Sequence, residues 1–333
     1  MKLSLFTIIP YFTAASFNNH LLQLKSQFSF VEYQVCPNFK ERNVLHQDAK
    51  YFFYLPYEGF FNQQLQLIRA FLLCRYSGRT LIIPPIIPSK HDTLSSRPAE
   101  WHNYFDLSSI DVQHLSFTSI LNFPMFLDCF TFDRFPSIES LGYTTRSFLS
   151  MFSISCDLNK NIEGRAPDLA QLELLLEQKD QIVCISNLQH IKPLKEENKM
   201  LQSLDFSYHI YLQYPSRQTI YNAVHYRRGD FADACKKGKK IFEDCYWNMS
   251  KVNEIATNSS FPLYIGTNEK DVQVLKQLSD FGTLLQWDNS DHFMNVIFDA
   301  ITMIFAETFH GNQYSTMSKY IWHRRRNIYS HKL

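Results

Sequence analysis

Short apolar runs alternate along this chain with longer stretches in which apolar residues recur at helical spacing. The clearest unit has an apolar run at residues 51–55, a helical pattern at residues 62–76 and a second apolar run at Thr80–Ile83. Runs of four or five apolar residues between turn signals are typical of buried strands, whereas i, i+3, i+4 spacing predicts a helix with one buried face, here including Leu65. Gly78 lies where this helix should end. The segment therefore predicts a strand–loop–helix–strand unit.

The second half of the chain repeats this alternation. Strands are predicted at Asn222–Tyr226 and at residues 262–267 and 283–287, and helices at residues 268–281, 292–305 and 317–324. Strands that alternate with helices favour parallel sheets, so we predict an α/β fold with two Rossmann-like domains. We place the domains at residues 45–215 and 216–333, and we expect the basic run at residues 323–326 to be a solvated helix end.

Length and charge agree with this organisation. A chain of 333 residues suits two domains that each bury a core of their own. The formal net charge is +1, which argues against nucleic acid or an acidic membrane surface as the main partner.

The segment of residues 222–231, NAVHYRRGDF, is the most informative part of the sequence. It places Arg227, Arg228 and Asp230 directly after a predicted strand. The loop after the carboxyl end of a strand is where α/β sheets bind ligands, and the flat guanidinium of arginine suits a phosphate. The segment therefore predicts a phosphate clamp. The alternative is a solvated basic turn that happens to contain an Arg-Gly-Asp tripeptide.

Two further segments could contribute to an anion site. The loop at residues 56–59 leads into the N-terminus of the helix predicted at residues 62–76, and helix N-termini attract anions. Ser315 and Thr316 precede the last predicted helix. Their hydroxyls could cap that helix or hydrogen-bond a phosphate.

Taken together, these segments resemble the GDP-fucose protein O-fucosyltransferase superfamily, in particular its fungal-type relatives. The resemblance rests on GFFNQ at residues 59–63, SGRTLIIPP at residues 77–85, HYRRGDF at residues 225–231 and GNQYSTMS at residues 311–318. The central motif is the most specific of the four. One departure is Met317, where the family usually has phenylalanine.

The resemblance implies a GT-B glycosyltransferase, with two Rossmann-like domains facing a cleft. Its N-terminal domain would face the acceptor and its C-terminal domain would bind GDP-fucose. Such an enzyme transfers fucose with inversion to a Ser or Thr hydroxyl of a protein, and it needs neither a metal nor a further cofactor. Two alternatives remain open: transfer to a glycan hydroxyl, and a non-catalytic module that binds a GDP-sugar.

The resemblance also implies roles for individual residues. Arg227 would stabilise the leaving diphosphate, and Glu58 matches a glutamate that would act as the catalytic base. Glu58 could instead be a surface carboxylate at a helix N-terminus. The residues expected to bind substrate are Gly59, Asn62, His225, Arg228, Asp230, Ser315 and Thr316.

The N-terminal residues, two glycosylation sequons and the cysteines indicate the cellular compartment of the protein. Residues 1–16 combine a basic start, a short apolar run and small residues, which predicts a signal peptide or anchor. Asn248 and Asn258 lie in glycosylation sequons, and among the seven cysteines we predict a Cys235–Cys245 disulfide. We also expect Cys74 to be a free thiol in the core. The predicted location is the lumen of the ER or Golgi; the alternative is a cytoplasmic enzyme with an apolar N-terminal strand.

Overall fold

A computed structural model of the chain describes residues 43–89, 97–108, 110–132, 137, 140–162, 166–215, 219–227, 235–236, 245–287 and 291–329. The described residues divide into two compact units, with the change between Tyr208 and His209. We call residues 43–208 the N-terminal unit and residues 209–329 the C-terminal unit. Each unit contains its own parallel β-sheet, which confirms the predicted α/β class.

The N-terminal unit is built on six parallel strands. They are β1 (Tyr51–Tyr54), β2 (Thr80–Ile83), β3 (His114–Ser116), β4 (Phe126–Phe132), β5 (Ser155–Ile162) and β6 (Ile182–Ile185). Their order across the sheet is β3-β2-β1-β6-β4-β5, so β1 lies in the middle, and all four of its residues are buried. A parallel sheet is covered on both faces, which explains why β1 has a continuous apolar sequence rather than an alternating one.

Helices lie between some of these strands and after the last of them. They are α1 (Phe60–Ser77), α2 (Tyr143–Met151), α3 (Leu169–Leu176) and α4 (Glu197–Ser203), and α5 (Tyr208–Gln213) spans the change of unit. Helix α1 ends as predicted at Gly78, which has the left-handed φ of 67° that glycine adopts without a steric penalty. Single turns of 3-10 helix lie at Trp101–Asn103, Phe117–Ser119 and Leu188–His190.

Helix α1 is buried on most of its surface, so the prediction of one buried face was wrong. Leu65 is only half-buried, whereas Gln63, Gln66 and Arg69 are at most 4 % exposed. These polar side chains can be buried because they have partners. Arg69, for example, donates from Nε to Oε2 of Glu197 at 2.8 Å.

Arg79, in the second motif of the resemblance, has a structural role. The residue is 2 % exposed, and its guanidinium donates hydrogen bonds only to backbone carbonyls among the partners described. These carbonyls belong to Tyr51, Leu176, Gln178 and Asp180, at 2.6–3.0 Å. The side chain therefore ties the start of β1 to the end of α3 and the turn that follows.

The C-terminal unit is built on four parallel strands in the order β10-β7-β8-β9. They are β7 (Asn222–Tyr226), β8 (Leu263–Thr267), β9 (Thr283–Leu284) and β10 (Phe309–His310). Its helices are α6 (Met249–Thr257), α7 (Val272–Phe281), α8 (His292–Ile304) and α9 (Thr316–Tyr329). Strand β7 has the predicted bounds, whereas β9 ends three residues before the predicted position 287.

Three helix starts in this unit, those of α6, α7 and α8, follow acidic or amide capping residues. Helix α7 begins four residues later than predicted because Oδ1 of Asp271 accepts hydrogen bonds from the backbone N–H groups of Gln273 and Val274. Asp291 caps α8 in the same manner, and Asn248 caps α6.

The basic run near the end of α9 is not a solvated helix end as predicted. Arg324 is 5 % exposed, and Arg325 donates to backbone carbonyls at and beyond the C-terminus of α8, including those of Ile304 at 2.8 Å and Glu307 at 2.9 Å. Only Arg326 of these three arginines is exposed. Arginine satisfies helix-terminal carbonyls through its several donors, and it also complements the negative end of the helix dipole.

Two disulfides lie among the described residues. Cys235–Cys245 was predicted and is confirmed, whereas Cys129–Cys184, which joins the neighbouring strands β4 and β6, was not predicted. Cys74 is a free buried thiol as expected, and Cys156 is another. Burial raises the pKa of both thiols, which keeps them protonated and unreactive.

Within the described ranges, no helix combines the length and apolarity required to cross a membrane.

Candidate functional site

The order of strands in the C-terminal sheet determines where a ligand should bind. From β7 the chain proceeds to β8 and β9 on one side, and it later places β10 on the other side of β7. The topological switch point therefore lies between the carboxyl ends of β7 and β10, and ligands of open α/β sheets bind at such points. Strand β7 ends one residue before Arg227, and β10 ends one residue before Gly311. The predicted anion-binding segments at residues 222–231 and 315–316 thus lie at the same edge of the sheet.

His225 links these two segments. It is 4 % exposed in β7, and its Nδ1 lies 2.8 Å from Oγ of Ser318 in α9. Burial, with a smaller contribution from the positive charge of Arg227, lowers the pKa of His225 to about 3. The imidazole is therefore neutral near pH 7, and in this structure it contacts Ser318.

Arg227 is the first residue after β7, and its side chain is half-buried. Arg227 thus directly follows the carboxyl end of a strand, as the sequence predicted. Arg228 and Asp230 lie outside the described residues, so their predicted roles in substrate binding stay predictions.

Gly311 allows the two segments to approach each other closely. A Cβ atom at this position would lie 2.5 Å from Cζ of Phe309 and 2.8 Å from Oγ of Ser318, the hydroxyl that contacts His225. Any side chain would therefore displace the aromatic ring or the serine.

The start of α9 also lies at this switch point. Oγ of Ser315 accepts from the backbone N–H of Ser318 at 3.5 Å, and O of Ser315 accepts from the backbone N–H of Lys319 at 3.0 Å. Ser315 thus acts as the helix cap that the sequence suggested, and Thr316 is the first helical residue. An N-terminus with free N–H groups suits an anion, and both hydroxyls belong to it.

Sequence reasoning assigned no role to Ser318 or Asn312. Asn312 is 3 % exposed; its Nδ2 donates to O of Cys245, and its Oδ1 accepts from the backbone N–H of Tyr314 at 2.8 Å. It therefore ties the loop after β10 to the Cys235–Cys245 disulfide. Both residues lie inside the fourth motif, at residues 311–318, and their polarity within a tight turn was the available signal.

The N-terminal sheet has a switch point of its own. Its chain proceeds from β1 to β2 and β3 on one side, and β4, β5 and β6 lie on the other. The carboxyl ends of β1 and β6 meet where the direction changes, so the loop at residues 55–59 occupies the position expected of a ligand-binding loop.

Glu58 has the most unusual backbone of this loop. It has a φ of 62°, one of three positive values among the described non-glycine residues. Its carbonyl accepts from Nε2 of Gln63 at 2.8 Å and from Oγ1 of Thr144 at 3.2 Å. Its exposed carboxylate accepts from Nδ2 of Asn62 at 3.3 Å. The structure thus brings together Glu58 and Asn62, as the sequence predicted, and adds Gln63 and Thr144.

Gly59, the first residue of the first motif, has an ordinary extended backbone conformation. Its φ is −74°, and the space where a Cβ would lie is open. The positive φ of this turn belongs to Glu58 instead. The substrate-binding role of Gly59 stays a prediction.

Side chains that could ligate a metal do not cluster in the described part of the chain. Across the described ranges, no group of three or more His, Cys, Asp or Glu side chains could hold a metal ion. Independence from metal stays a prediction.

Comparison with known structures identifies the fold of this chain. The sequence matches no protein-family model. It also matches no curated protein. Solved structures of POFUT1 do match: the complex with GDP-fucose has a TM-score of 0.60 at 15 % identity, over 83 % of this chain and 95 % of that one. The chain has the POFUT1 fold. The GDP complex of POFUT1 gives a TM-score of 0.59 at 15 % identity, over 84 % of this chain and 95 % of that one.

The apo form of POFUT1 matches in the same manner, with a TM-score of 0.60 at 14 % identity over 84 % of this chain and 96 % of that one. Identities this low establish the fold and leave the chemistry to be argued from the residues.

Proposed function

We propose that this protein is a fucosyltransferase of the GDP-fucose protein O-fucosyltransferase superfamily. It transfers fucose from GDP-fucose, with inversion, to a Ser or Thr hydroxyl of a protein acceptor. The observation that carries the proposal is the C-terminal switch point, where an arginine after β7 and the N-terminus of α9 lie at the same edge of the sheet. The POFUT1 fold supports it, since POFUT1 was solved with GDP-fucose bound.

Arg227 is the proposed catalytic cation. When the bond between fucose and the β-phosphate breaks, negative charge grows on the diphosphate, and a charged donor already in place stabilises that transition state. His225 is neutral near pH 7 because burial lowers its pKa, so the imidazole adds no charge. Positive potential therefore comes from Arg227 and the N-terminus of α9. We propose that Ser315 and Thr316 donate to phosphate oxygens, and that Arg228 and Asp230 complete the nucleotide site.

Glu58 is the proposed general base. Its carboxylate would take the proton of the acceptor hydroxyl while that oxygen attacks the anomeric carbon of fucose, and GDP would leave with the electrons of the broken C–O bond. Strained backbone conformations cluster at functional sites, and the positive φ of Glu58 supports this assignment over that of an ordinary surface carboxylate. Asn62 would hold the carboxylate and the sugar.

We further propose the lumen of the secretory pathway as the location. Disulfides persist in oxidising compartments and are rare in the cytosol, and this chain has Cys129–Cys184 and Cys235–Cys245. The sequon residues Asn248 and Asn258 are both exposed, as glycosylation sites must be.

GDP-fucose hydrolysis by the purified protein tests the proposal, with water in place of the acceptor. Wild type, Arg227→Ala and Arg326→Ala are compared, and GDP binding is followed by calorimetry. Arg326 is the control because it is an exposed arginine of the same unit. We expect GDP release by wild type and Arg326→Ala, and a loss of about a hundredfold in Arg227→Ala, equivalent to roughly 3 kcal/mol in the barrier.

The outcomes separate the alternatives. GDP binding without release, both alone and with candidate protein acceptors, would favour the non-catalytic module. Release that is stimulated by glycans but not by proteins would move the acceptor to a sugar hydroxyl. Absence of GDP binding would contradict the proposed function altogether.

A further inference from the structure

The loop at residues 55–58 is held at every residue by side chains from two helices. Gln66 of α1 donates from Nε2 to O of Leu55 at 3.3 Å and accepts at Oε1 from the backbone N–H of Tyr57 at 2.9 Å. Thr145 of α2 donates from Oγ1 to O of Pro56 at 2.6 Å. Four consecutive residues are therefore fixed by groups that are themselves buried, once the contacts to Glu58 are included.

Glu58 has two side-chain donors on its carbonyl, one from each helix. They are Nε2 of Gln63 in α1 and Oγ1 of Thr144 in α2, and these two residues are 1 % and 2 % exposed. A left-handed backbone at a residue other than glycine persists only when its surroundings hold it. The backbone conformation of Glu58 sets the direction of its carbonyl oxygen, and both donors bond to this oxygen.

Gln63 connects the same carbonyl to a third segment. Its Nε2 also donates to O of Ile87 at 2.7 Å, and its Oε1 accepts from the backbone N–H of Ile87 at 2.9 Å. Both the nitrogen and the oxygen of the Gln63 amide therefore form hydrogen bonds. Two of these bonds join it to Ile87, in the segment after β2, and the third joins it to Glu58. Rotation of the side chain would break all three bonds.

The N-terminus of helix α2 packs closely against the loop. A Cβ atom at Gly142, the residue before α2, would lie 2.8 Å from Cε2 of Tyr57. The close approach brings Thr144 and Thr145 within hydrogen-bond distance of the loop. None of these contacts involves the carboxylate of Glu58, which stays exposed.

We infer that Gln63 and Thr144 are positioning residues that hold Glu58 in its left-handed conformation, and thereby orient its carboxylate as proton acceptor. The inference rests on the proposed function of Glu58, and it gives a role to Gln63, which lies in the first motif without one, and to Thr144, which lies in none of the motifs. A base must be placed within hydrogen-bond reach of the hydroxyl, and small errors in placement reduce the rate without weakening donor binding.

Threonine variants test this role with little change in volume. Thr144→Val removes the hydroxyl, Thr144→Ser retains it, and Thr302→Val removes an equally buried hydroxyl from the C-terminal unit. We expect Thr144→Val to lower kcat for GDP-fucose hydrolysis about tenfold, with KM and the Kd for GDP unchanged. Thr144→Ser should restore kcat, and Thr302→Val should leave it unchanged.

A double-variant cycle with Glu58→Gln shows whether Thr144 acts through the carboxylate. If it does, Thr144→Val has no further effect on kcat once Glu58→Gln is present. Multiplicative effects of the two substitutions would overturn the inference, because they would mean that Thr144 acts independently. An unchanged kcat in Thr144→Val, with Glu58→Gln inactive, would overturn it as well.

Hydrogen exchange separates failure of this inference from failure of the proposed function. The backbone N–H of Tyr57 reports on the loop, and its exchange should accelerate in Thr144→Val even if the protein has no turnover. Unchanged exchange would overturn the inference at the structural step. Faster exchange with an active Glu58→Gln would instead mean that the loop is held as described but that Glu58 is not the base.

Discussion

The two switch-point loops of this protein carry opposite charges on the same kind of scaffold. In the C-terminal unit, a permanent cation, Arg227, follows β7, and a helix N-terminus adds partial positive charge. In the N-terminal unit, a carboxylate, Glu58, follows β1, and its hydrogen-bond donors include the side-chain amides of Asn62 and Gln63 and the hydroxyl of Thr144. A parallel sheet supplies the ligand-binding edge in both units, but the side chains decide whether that edge suits an anion or a proton donor.

The loops also differ in how they are anchored. The C-terminal segments are joined through side chains, by the contact of His225 with Ser318 and the bond of Asn312 to Cys245. The N-terminal loop is held through its backbone, because side chains of α1 and α2 bond its peptide groups. A loop that places a charged side chain on strained backbone needs the second arrangement, since the backbone itself would otherwise relax.

The largest expected effect is the loss of unfolding free energy when a disulfide is removed, and this loss should differ between the two units. Cys129–Cys184 spans 55 residues and Cys235–Cys245 spans 10. Because a longer closed loop removes more entropy from the unfolded chain, replacing both cysteines of the first pair by alanine should cost about 4 kcal/mol, against about 3 kcal/mol for the second. Urea unfolding of the two double variants measures the difference. A greater loss from the shorter loop would contradict the expectation.

Replacing Gly311 or Gly59 by alanine should show, from the free energy of unfolding, which glycine lies in a closely packed position. Gly311→Ala places a Cβ 2.5 Å from Phe309 and should lower the free energy of unfolding by about 1–3 kcal/mol, with weaker GDP binding as a consequence. Gly59→Ala is the matched control, because its φ is −74° and its Cβ position is open. Chemical denaturation measures both. Equal losses would mean that the close approach at Gly311 has no energetic importance.

Acidification should act on the C-terminal unit through His225. Its folded-state pKa of about 3 lies below the ordinary value of 6.5. Between these values the unfolded chain binds a proton that the folded protein does not, so stability falls as the pH decreases from 6.5 towards 3. This residue alone should remove about 2 kcal/mol between pH 7 and pH 5.

The measurement is urea unfolding at both pH values for wild type and His225→Asn. The variant should lose less stability on acidification than wild type by that amount. An identical loss in both proteins would show that the histidine is not held neutral.

The smallest effect concerns the strain in the N-terminal loop. Glycine adopts positive φ without the cost of about 1 kcal/mol or more that other residues incur, so Glu58→Gly should stabilise the protein by up to about 1 kcal/mol. Glu58→Ala retains the strain and is the control. Thermal unfolding compares the two, and hydrolysis assays should show both to be impaired if Glu58 is the base. A less stable glycine variant would argue against strain at this position.

Local patterns predicted the elements that contain the candidate site. The bounds of β2 and β7 agree with the apolar runs, β1 differs by one residue, and Gly78 ends α1. These features depend on residues close in sequence, whose periodicity and turn signals can be recognised without a structure. The Cys235–Cys245 disulfide was predictable for the same reason, because its cysteines are only 10 residues apart.

Features that depend on distant partners were missed. Cys129 pairs with Cys184 because β4 and β6 are neighbours in the sheet, although β5 lies between them in sequence. Arg325 lies in a run that was predicted to be solvated, and the sequence assigned no structural role to Arg79, yet both donate to backbone carbonyls of other segments. No local pattern indicates which carbonyls a distant arginine will meet.

An α/β chain with charged motifs at strand ends could be recognised without a structure, because the spacing of apolar residues and the identity of turn residues are local properties. The folded arrangement was needed to show that two of those motifs meet beside β7, and that Glu58 has a left-handed backbone held by Gln63 and Thr144. Strand order and the donors on a carbonyl arise from contacts between residues far apart in the chain. Such contacts form only when the whole unit folds, since their energy must offset the entropy of closing long loops.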